Sequence, residues 1–184
     1  MIHIIIIILV IFLFIKWFNR HPYISPDIKN TSNNVVLSPC YGTIKKIVHE
    51  NNKTYIMIFL SPFDVHIQYL PMSGIITSQI YDNTGKFNLA YDLNKSKYNE
   101  KVITTLHNSF INDDIEIYQI AGFFVRRIEN EKYDNKPIII GSKLGMIRFG
   151  SRVDLVVPSK GLRLNVKEND YVNGPYTKIG EYML

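Results

Sequence analysis

The apolar run at the amino terminus constrains this chain more than any other feature of its sequence. Residues 2–15 are almost all Ile, Leu, Val and Phe, and no charged side chain precedes Lys16. As an α-helix, which rises about 1.5 Å per residue, some 17 residues extend about 25 Å, slightly less than the hydrocarbon core of a bilayer. We therefore predict an N-terminal membrane anchor helix over residues 1–18.

The residues after this run favour a retained helix over a cleaved signal peptide. A signal peptide has small residues at its cleavage site and carries its basic residues before the apolar stretch. Here Trp17 and Phe18 follow the run, and Lys16 and Arg20 also come after it. Trp17 suits a membrane interface, and the two basic residues favour a cytoplasmic position for the rest of the chain. We expect a membrane-associated protein whose anchor is either a transmembrane helix or a helix lying at the interface.

The remainder of the sequence predicts one mainly β domain. Residues 19–34 are polar and contain Pro22, Pro26 and a cluster of Asn and Ser, which is typical of a linker. Over residues 35–184, short apolar or alternating runs are separated by turn residues, as in antiparallel sheets. The predicted strands cover residues 42–49, 55–60, 73–81, 87–91, 101–106, 115–128, 144–149, 152–157, 162–166 and 177–182. Residues 93–101 are predicted to hold a helical turn.

Composition limits the size of the fold and the kinds of partner that the protein is expected to bind. With 184 residues, of which 46% are hydrophobic, the chain has room for one compact domain and a short appendage. The net charge of +5 suits nucleic acid or an anionic lipid surface, but the basic residues are scattered and form no dense basic arm. We therefore expect a membrane partner and no nucleic acid. Cys40 is the single cysteine and the five histidines lack metal-ligand spacing, so neither an internal disulfide nor a metal is expected.

Two short segments carry groups suited to chemistry, although the sequence has no phosphate-binding glycine loop, GxSxG element or paired carboxylates. Asp64 and His66 lie two residues apart after a predicted strand, so they share one face if the strand continues, and such a pair can orient a base. Taken alone, the ordinary alternative is that Asp64 caps a turn and His66 is a surface or core histidine. Gly150 and Ser151 lie between two predicted strands, where a Gly-Ser pair is by itself an ordinary turn.

Six segments, taken together and in order, resemble the phosphatidylserine decarboxylase family, especially its short-chain branch. Each segment alone is weak, but the series covers nearly all of the chain after the apolar run. The segments are WFNRHP (17–22), LSPCYG (37–42), SPFDVHIQYLPMSG (61–74), NEK (99–101), QIAGFFVRR (119–127) and GMIRFGS (145–151). The resemblance implies that residues 35–184 form a single compact β domain of this family, preceded by the hydrophobic helix.

The resemblance also implies that Ser151 becomes the protein's own cofactor. Its hydroxyl attacks the carbonyl of Gly150, the peptide becomes an ester, and elimination followed by hydrolysis leaves a pyruvoyl group at the new amino terminus. Serine supplies both the nucleophile and the leaving group, and glycine leaves the carbonyl unhindered. One precursor then gives two chains, which end at Gly150 and begin at Ser151 and share one core. The resemblance leaves open whether two copies of the protein form a homodimer.

The implied reaction is the decarboxylation of phosphatidylserine to phosphatidylethanolamine. The pyruvoyl ketone forms a Schiff base with the lipid amine and accepts the electrons released as carbon dioxide leaves, so no diffusible cofactor is required. His66 is the implied proton donor, and Asp64 sets its tautomer or assists binding. Guanidinium groups pair with phosphate or carboxylate oxygens, so four arginines either hold the lipid or are solvated charges on strand faces. They are Arg126, Arg127, Arg148 and Arg152.

Two positions depart from the family pattern. Tyr41 stands where the family has an aspartate that is assigned to a relay promoting self-cleavage, and Tyr69 stands where longer-chain members have a second histidine. Three alternatives for self-cleavage remain without this carboxylate. His66 promotes it alone or with Asp64, Tyr41 forms a hydrogen bond with the serine, or processing is slow or absent. The alternative function is a non-catalytic, membrane-tethered lipid-binding protein. A third hypothesis, a carrier module, rests on the biotinyl/lipoyl-like short strands of residues 145–182, which lack a suitable lysine.

Overall fold

The computed structural model describes residues 2–123, 127–133, 135–148 and 151–183 and is mainly β, as the sequence predicts. Its N-terminal helix, α1 (Ile2–Phe18), exposes most of its apolar side chains, and only Phe18 is buried. In the part of the chain that the structure describes, no helix is long and apolar enough to cross a membrane, which does not support the expected transmembrane helix.

Capping bonds fix the end of α1. The side-chain amide of Asn19 donates to the carbonyl of Ile15 at 2.8 Å, and the guanidinium of Arg20 donates to the carbonyl of Trp17 at 3.0 Å. The backbone amides of Asn19 and Arg20 donate to the same two carbonyls at 3.0 and 3.2 Å, so each side chain adds a second bond at the end of the helix. The guanidinium of Arg20 also donates to the carbonyl of Phe63 at 3.1 Å, which ties the end of α1 to the β domain.

The strands of the β domain pair in antiparallel fashion and form three sheets. The large sheet has eight strands in the order β13-β2-β3-β11-β7-β6-β5-β9, and the smaller sheets have the orders β4-β10-β8 and β1-β14-β12. The elements in chain order are a 3₁₀ helix (Pro26–Asn30), β1 (Val35–Leu37), β2 (Gly42–Glu50), β3 (Lys53–Leu60), β4 (Ile67–Tyr69), β5 (Gly74–Asp82), α2 (Leu93–Ser96), β6 (Lys101–Asn108), β7 (Asp113–Ile120), β8 (Ile128–Asn130), β9 (Pro137–Ile138), β10 (Lys143–Ile147), β11 (Ser151–Pro158), β12 (Leu162–Leu164), β13 (Tyr171–Val172) and β14 (Lys178–Tyr182).

The predicted hairpin of β2 and β3 is confirmed. Asn51 and Asn52 form its turn with φ values of 51° and 60°, the left-handed conformation that a tight hairpin requires and that asparagine tolerates. Along β3 every second residue is buried, so one face points into the core. All eight residues of β11 are buried, because this strand lies in the middle of the sheet and is covered on both faces.

One predicted strand, residues 87–91, is wrong. The structure places only an isolated bridge there, between Lys86 and Asn99. The amide of Asn88 donates to Oδ1 of Asn99 at 2.8 Å, and Nδ2 of Asn99 donates to the carbonyl of Asn88 at 2.8 Å. These side-chain bonds satisfy the backbone locally and replace a strand ladder. The neighbouring prediction of a helical turn is confirmed by α2, which is capped by the carboxylate of Asp92.

The single strand predicted over residues 115–128 is also wrong. β7 ends at Ile120 and pairs with β6 and β11, whereas β8 begins at Ile128 and pairs with β10 in another sheet. The two strands also differ in burial, because the residues of β8 are only half-buried whereas half-buried and buried positions alternate along most of β7.

The C-terminal strands divide between two sheets. β11 and β13 belong to the large sheet, whereas β12 and β14 pair with each other and join β1. The expected likeness of this region to a biotinyl/lipoyl-type module stays a prediction.

Candidate active site

The strands that flank the two predicted segments pair with each other near one end of β11. Residues 61–66 lead from β3 to β4, and residues 148–150 lead from β10 to β11. Because β3 pairs with β11 and β4 pairs with β10, both connections cross between the same two sheets. Leu60 pairs with Ser151 on one side, and on the other the amide of Ile147 donates to the carbonyl of His66 at 3.2 Å. The topology therefore brings the two predicted segments together.

Ser151 is the first residue of β11 and is fully buried. Its side chain lies on the same face of the strand as Val153 and Leu155, which belong to the hydrophobic core. The hydroxyl oxygen is buried and has no hydrogen-bond partner in the described part of the chain. Burying a hydroxyl in this way costs about 1–3 kcal/mol, which indicates a role other than packing. Gly150, whose carbonyl is the predicted target, lies outside the described residues.

His66 is fully buried, and a main-chain contact sets its tautomer. Its Nδ1 lies 2.9 Å from the carbonyl oxygen of Asp64, so Nδ1 carries the proton and the lone pair is at Nε2. The ring packs against Phe18 of α1, with ring centroids 4.5 Å apart. Burial lowers the pKa of His66 below its ordinary value. A neutral imidazole accepts a proton, so His66 is suited to act as a base near neutral pH.

The carboxylate of Asp64 does not make the contact that orients His66. Oδ2 of Asp64 accepts from the amide of Ser61, and Oδ1 accepts from the hydroxyl of Tyr171, each at 2.7 Å. The amide of Asp64 donates back to the carbonyl of Ser61 at 3.0 Å and closes a turn. Asp64 therefore caps a turn with its carboxylate and orients His66 with its main-chain carbonyl. No local pattern marks Tyr171 as a partner of Asp64, because it lies 107 residues further along the chain.

The two tyrosines that depart from the family pattern lie beside this loop. Tyr69 is buried in a small apolar cluster with Val65 and Ile67, and Tyr41 packs against that cluster. Burial raises the pKa of both tyrosine hydroxyls, and Tyr176 adds to the effect at both. A tyrosine that keeps its proton donates a hydrogen bond but supplies no negative charge. Tyr41 therefore does not replace the aspartate of the family as a charged partner.

Arg152, one of the four candidate arginines, is occupied within the fold. Its Nε and Nη2 donate to the two carboxylate oxygens of Asp154, each at 2.6 Å, and the pair is almost completely buried. Its Nη1 donates to the carbonyl of Leu93 at 2.9 Å and to Oγ of Ser96 at 3.0 Å. These contacts give Arg152 a structural role that holds α2 against β11, so we do not retain it as a lipid-binding candidate.

The other arginines are placed differently. Arg126 lies outside the described residues. Arg127 is exposed, and its Nε lies 3.2 Å from a carboxylate oxygen of Glu129. Arg148 lies two residues before the predicted cleavage junction, and its Nη2 donates to the same carboxylate at 3.2 and 3.3 Å. The Nε of Arg148 is buried and unpartnered in the described part of the chain.

Arg148 also lines a polar cavity of about 330 Å³ at the end of α1. The cavity carries cationic and anionic groups together, which suits a zwitterionic ligand. Only Arg148 among its residues is a candidate from the sequence, because the others lie just after α1 or in and beside β8 and β10 and share no local pattern. The lining residues are Asn19, His21, Glu129, Asn130, Glu131, Lys143, Met146 and Arg148.

Comparison with known proteins identifies a family to which the sequence of this chain is similar. Residues 12–182 match the profile of the family described as phosphatidylserine decarboxylase. No solved structure gives a significant match.

Relatives named phosphatidylserine decarboxylase proenzyme align with most of the chain. One from Chlorobium chlorochromatii (strain CaD3) is 34% identical over 181 residues, which are 94% of this chain and 81% of the relative. One from Chlorobium phaeobacteroides (strain BS1) is 38% identical over 153 residues, which are 80% of this chain and 70% of the relative. One from Chlorobaculum tepidum is 33% identical over 179 residues, which are 94% of this chain and 77% of the relative. This chain therefore belongs to the phosphatidylserine decarboxylase family.

Proposed function

We propose that this protein is a proenzyme that cuts itself between Gly150 and Ser151 and then decarboxylates phosphatidylserine to phosphatidylethanolamine. One observation carries the proposal: the hydroxyl of Ser151 is buried at the start of β11 without a hydrogen-bond partner among the described residues. The connection that holds His66 begins just after Leu60, the residue that pairs with Ser151. A serine with this placement fits the formation of a pyruvoyl group better than it fits packing.

The proposed cutting reaction uses groups of this chain alone. His66 accepts the proton of the Ser151 hydroxyl as its oxygen adds to the carbonyl carbon of Gly150. The peptide C–N bond then breaks, the amine takes up a proton, and Gly150 is left as an ester on Ser151. The α-proton of Ser151 then leaves, and the bond between Cβ of Ser151 and the ester oxygen breaks. This elimination releases the carboxylate of Gly150 and leaves dehydroalanine at position 151. Water converts this group to a ketone and releases ammonia.

In turnover the pyruvoyl group would supply an acceptor for the electron pair released when the bond between the α-carbon and the carboxylate of the lipid breaks. His66, once protonated, returns a proton to the carbon that lost carbon dioxide, and the carbonyl of Asp64 keeps its ring oriented. We propose that the mixed-charge cavity receives the lipid head group, with Arg148 and Arg127 facing the phosphate or carboxylate. Arg126 stays a candidate from the sequence pattern.

We also propose that α1 holds the protein at a lipid surface, with the β domain on the cytoplasmic side. The helix exposes a series of isoleucine, leucine and phenylalanine side chains, and Lys16 and Arg20 follow them. Its last residue, Phe18, packs directly on His66. A lipid-bound α1 would therefore place the site at the surface from which the substrate comes.

Intact-mass measurement of the purified chain tests the proposal. We expect the wild type to separate into two fragments at the junction of residues 150 and 151, the second with a blocked amino terminus. Ser151→Ala is expected to stay whole and to release no carbon dioxide from phosphatidylserine vesicles. Ser109→Ala, which changes an exposed turn serine, serves as the matched control and is expected to split like the wild type.

A second candidate is the non-catalytic, membrane-tethered lipid-binding protein. The observation in its favour is that Tyr41 keeps its proton, so the family's charged relay partner is missing. Wild-type protein that stays whole after prolonged incubation, yet still binds phosphatidylserine vesicles, would favour this alternative and refute the proenzyme.

A further inference from the structure

A row of three side-chain amides joins the large sheet to the sheet that begins just after His66. Nδ2 of Asn130 donates to Oε1 of Gln119 at 2.7 Å, and Nε2 of Gln119 donates to Oε1 of Gln68 at 3.0 Å. Nε2 of Gln68 then donates to the carbonyl oxygen of His66 at 2.7 Å. Gln68 and Gln119 are fully buried, and Asn130 is half-buried. We call these three residues the amide chain, and every donor in it points towards His66.

Gly145 explains how the amide chain fits between the two sheets. Gly145 of β10 pairs with Gln68 on one side and with Asn130 on the other. A Cβ atom at Gly145 would lie 2.1 Å from Oδ1 of Asn130 and 2.4 Å from the carbonyl oxygen of Glu129, closer than such atoms approach. The missing side chain leaves space for the side-chain amide of Asn130, and Gln119 joins that amide to Gln68. A contact between two sheets is thereby fixed by hydrogen bonds with defined directions.

Apolar side chains could fill the space between the two sheets without a need for hydrogen bonds, whereas a buried amide lowers the stability of the fold unless it is hydrogen-bonded. A row of aligned amides polarises along its length, which strengthens its last bond, the bond to the carbonyl of His66. That carbonyl also accepts from the amide of Ile147 at 3.2 Å, and the ring Nδ1 is bonded to the carbonyl of Asp64. The main chain and the ring of His66 are therefore held by separate contacts.

We propose that the amide chain holds the main chain of His66 in place for its reaction with Ser151, which makes Gln68 and Gln119 positioning residues for both chemical steps. The consequence for chemistry rests on the proposed function, whereas the effect on the His66 ring does not. The charged groups that act on this ring are Asp64 and Arg20, and neither belongs to the amide chain. Removing an amide therefore changes the ring's surroundings only by letting the ring move.

NMR titration of the histidine ring carbons tests this inference in the full-length Ser151→Ala chain in detergent micelles, with the His66 signal assigned by His66→Gln. Gln68→Met keeps the length of the side chain and removes the donor to the His66 carbonyl. We expect the midpoint of His66 to rise towards the ordinary value of about 6.5, because a loosened ring becomes hydrated. Gln79→Met, an exposed strand glutamine, is the matched control and is expected to leave the midpoint unchanged.

A folded Gln68→Met chain with an unchanged His66 midpoint would overturn the inference. If Gln68→Met does not fold, Asn130→Ala carries the test from the half-buried end of the amide chain. A smaller rise of the midpoint in Asn130→Ala supports the inference, and no rise overturns it.

A second measurement separates this inference from the proposed function. With Ser151 restored, Gln68→Met is expected to slow self-cleavage and to lower kcat, each on the order of tenfold to a hundredfold, with KM little changed, because a small displacement of a reacting group is costly. A raised midpoint with unchanged cleavage would support positioning and would refute the proposed role of His66. An unchanged midpoint with slowed cleavage would refute positioning and leave the role of His66 in place.

Discussion

At the scale of single residues, the buried imidazole of His66 links folding to pH. Burial lowers the pKa of His66 in the folded chain below the value of about 6.5 expected in the unfolded chain. Between these two pKa values the unfolded chain binds more protons, so the free energy of unfolding rises with pH. This stabilising contribution is fully present above about pH 6.5 and is lost as the pH falls through the folded-state pKa.

Replacing His66 by glutamine is expected to flatten that dependence. Urea unfolding of the uncut Ser151→Ala chain on both sides of about pH 6.5 measures it. In the parent chain the free energy of unfolding is expected to fall towards acid pH, and in His66→Gln it is expected to fall less. His49→Gln, which changes an exposed histidine, controls for general effects of losing an imidazole. Equal slopes for the parent and His66→Gln would show that His66 is not held neutral by burial.

The residue scale also shows what sequence reasoning reaches and what it misses. Ser151 and His66 were identified because the family motifs contain them, and the structure brings their two connections together. The role of Gln68 was not predictable, since its contact with Gln119 spans 51 residues and a single glutamine has no local pattern. The contact between the main-chain carbonyl of Asp64 and the ring of His66 was also not predictable, because every residue has such a carbonyl.

At the scale of elements, β11 combines the candidate residue Ser151 with a buried ion pair. Arg152 and Asp154 face each other with side chains only 3% and 10% exposed. We expect Arg152→Met to lower the free energy of unfolding by about 3–5 kcal/mol, because it leaves the carboxylate of Asp154 buried without a partner. The double variant Arg152→Met/Asp154→Leu is expected to recover most of the loss, because apolar side chains can replace a buried pair. Urea unfolding in the Ser151→Ala background measures both.

A surface ion pair provides the comparison for this prediction. Lys53 and Glu116 lie 2.5 Å apart with side chains 37% and 21% exposed, so Lys53→Met is expected to cost about 1 kcal/mol or less. A double variant at Arg152 and Asp154 that is no more stable than Arg152→Met alone would contradict the argument from the unpaired carboxylate.

Element predictions succeed in this chain where pairing is local. The β2–β3 hairpin follows from two short strand-like runs on either side of an Asn-Asn turn, and each strand meets its partner within a few residues. The break between β7 and β8 depends on a change of partner from one sheet to another, which no pattern within residues 115–128 records. The failed strand at residues 87–91 has a similar cause, because Asn99 satisfies its backbone from outside the segment.

At the scale of the whole molecule, the exposed helix and the buried site are physically continuous. Phe18 ends α1 against the ring of His66, and Arg20 bonds the carbonyl of Phe63 in the connection that carries His66. Residues Asn19 and His21, just after the helix, line the mixed-charge cavity. Membrane attachment is therefore expected to change how the substrate reaches the site without changing the chemistry there.

Charging the exposed face of α1 separates these two effects. Ile4, Ile8 and Ile11 are 62%, 61% and 52% exposed and lie on one side of the helix. We expect Ile4→Lys/Ile8→Lys/Ile11→Lys to abolish sedimentation with neutral phosphatidylcholine vesicles, because each buried lysine opposes insertion by up to about 3 kcal/mol. Self-cleavage and the kcat for a short-chain, water-soluble phosphatidylserine are expected to stay unchanged, while the apparent KM for vesicle-bound phosphatidylserine rises. The matched variant Ile4→Leu/Ile8→Leu/Ile11→Leu is expected to behave like the wild type. If the variant with three lysines still binds vesicles, the membrane contact lies in the β domain and not in α1.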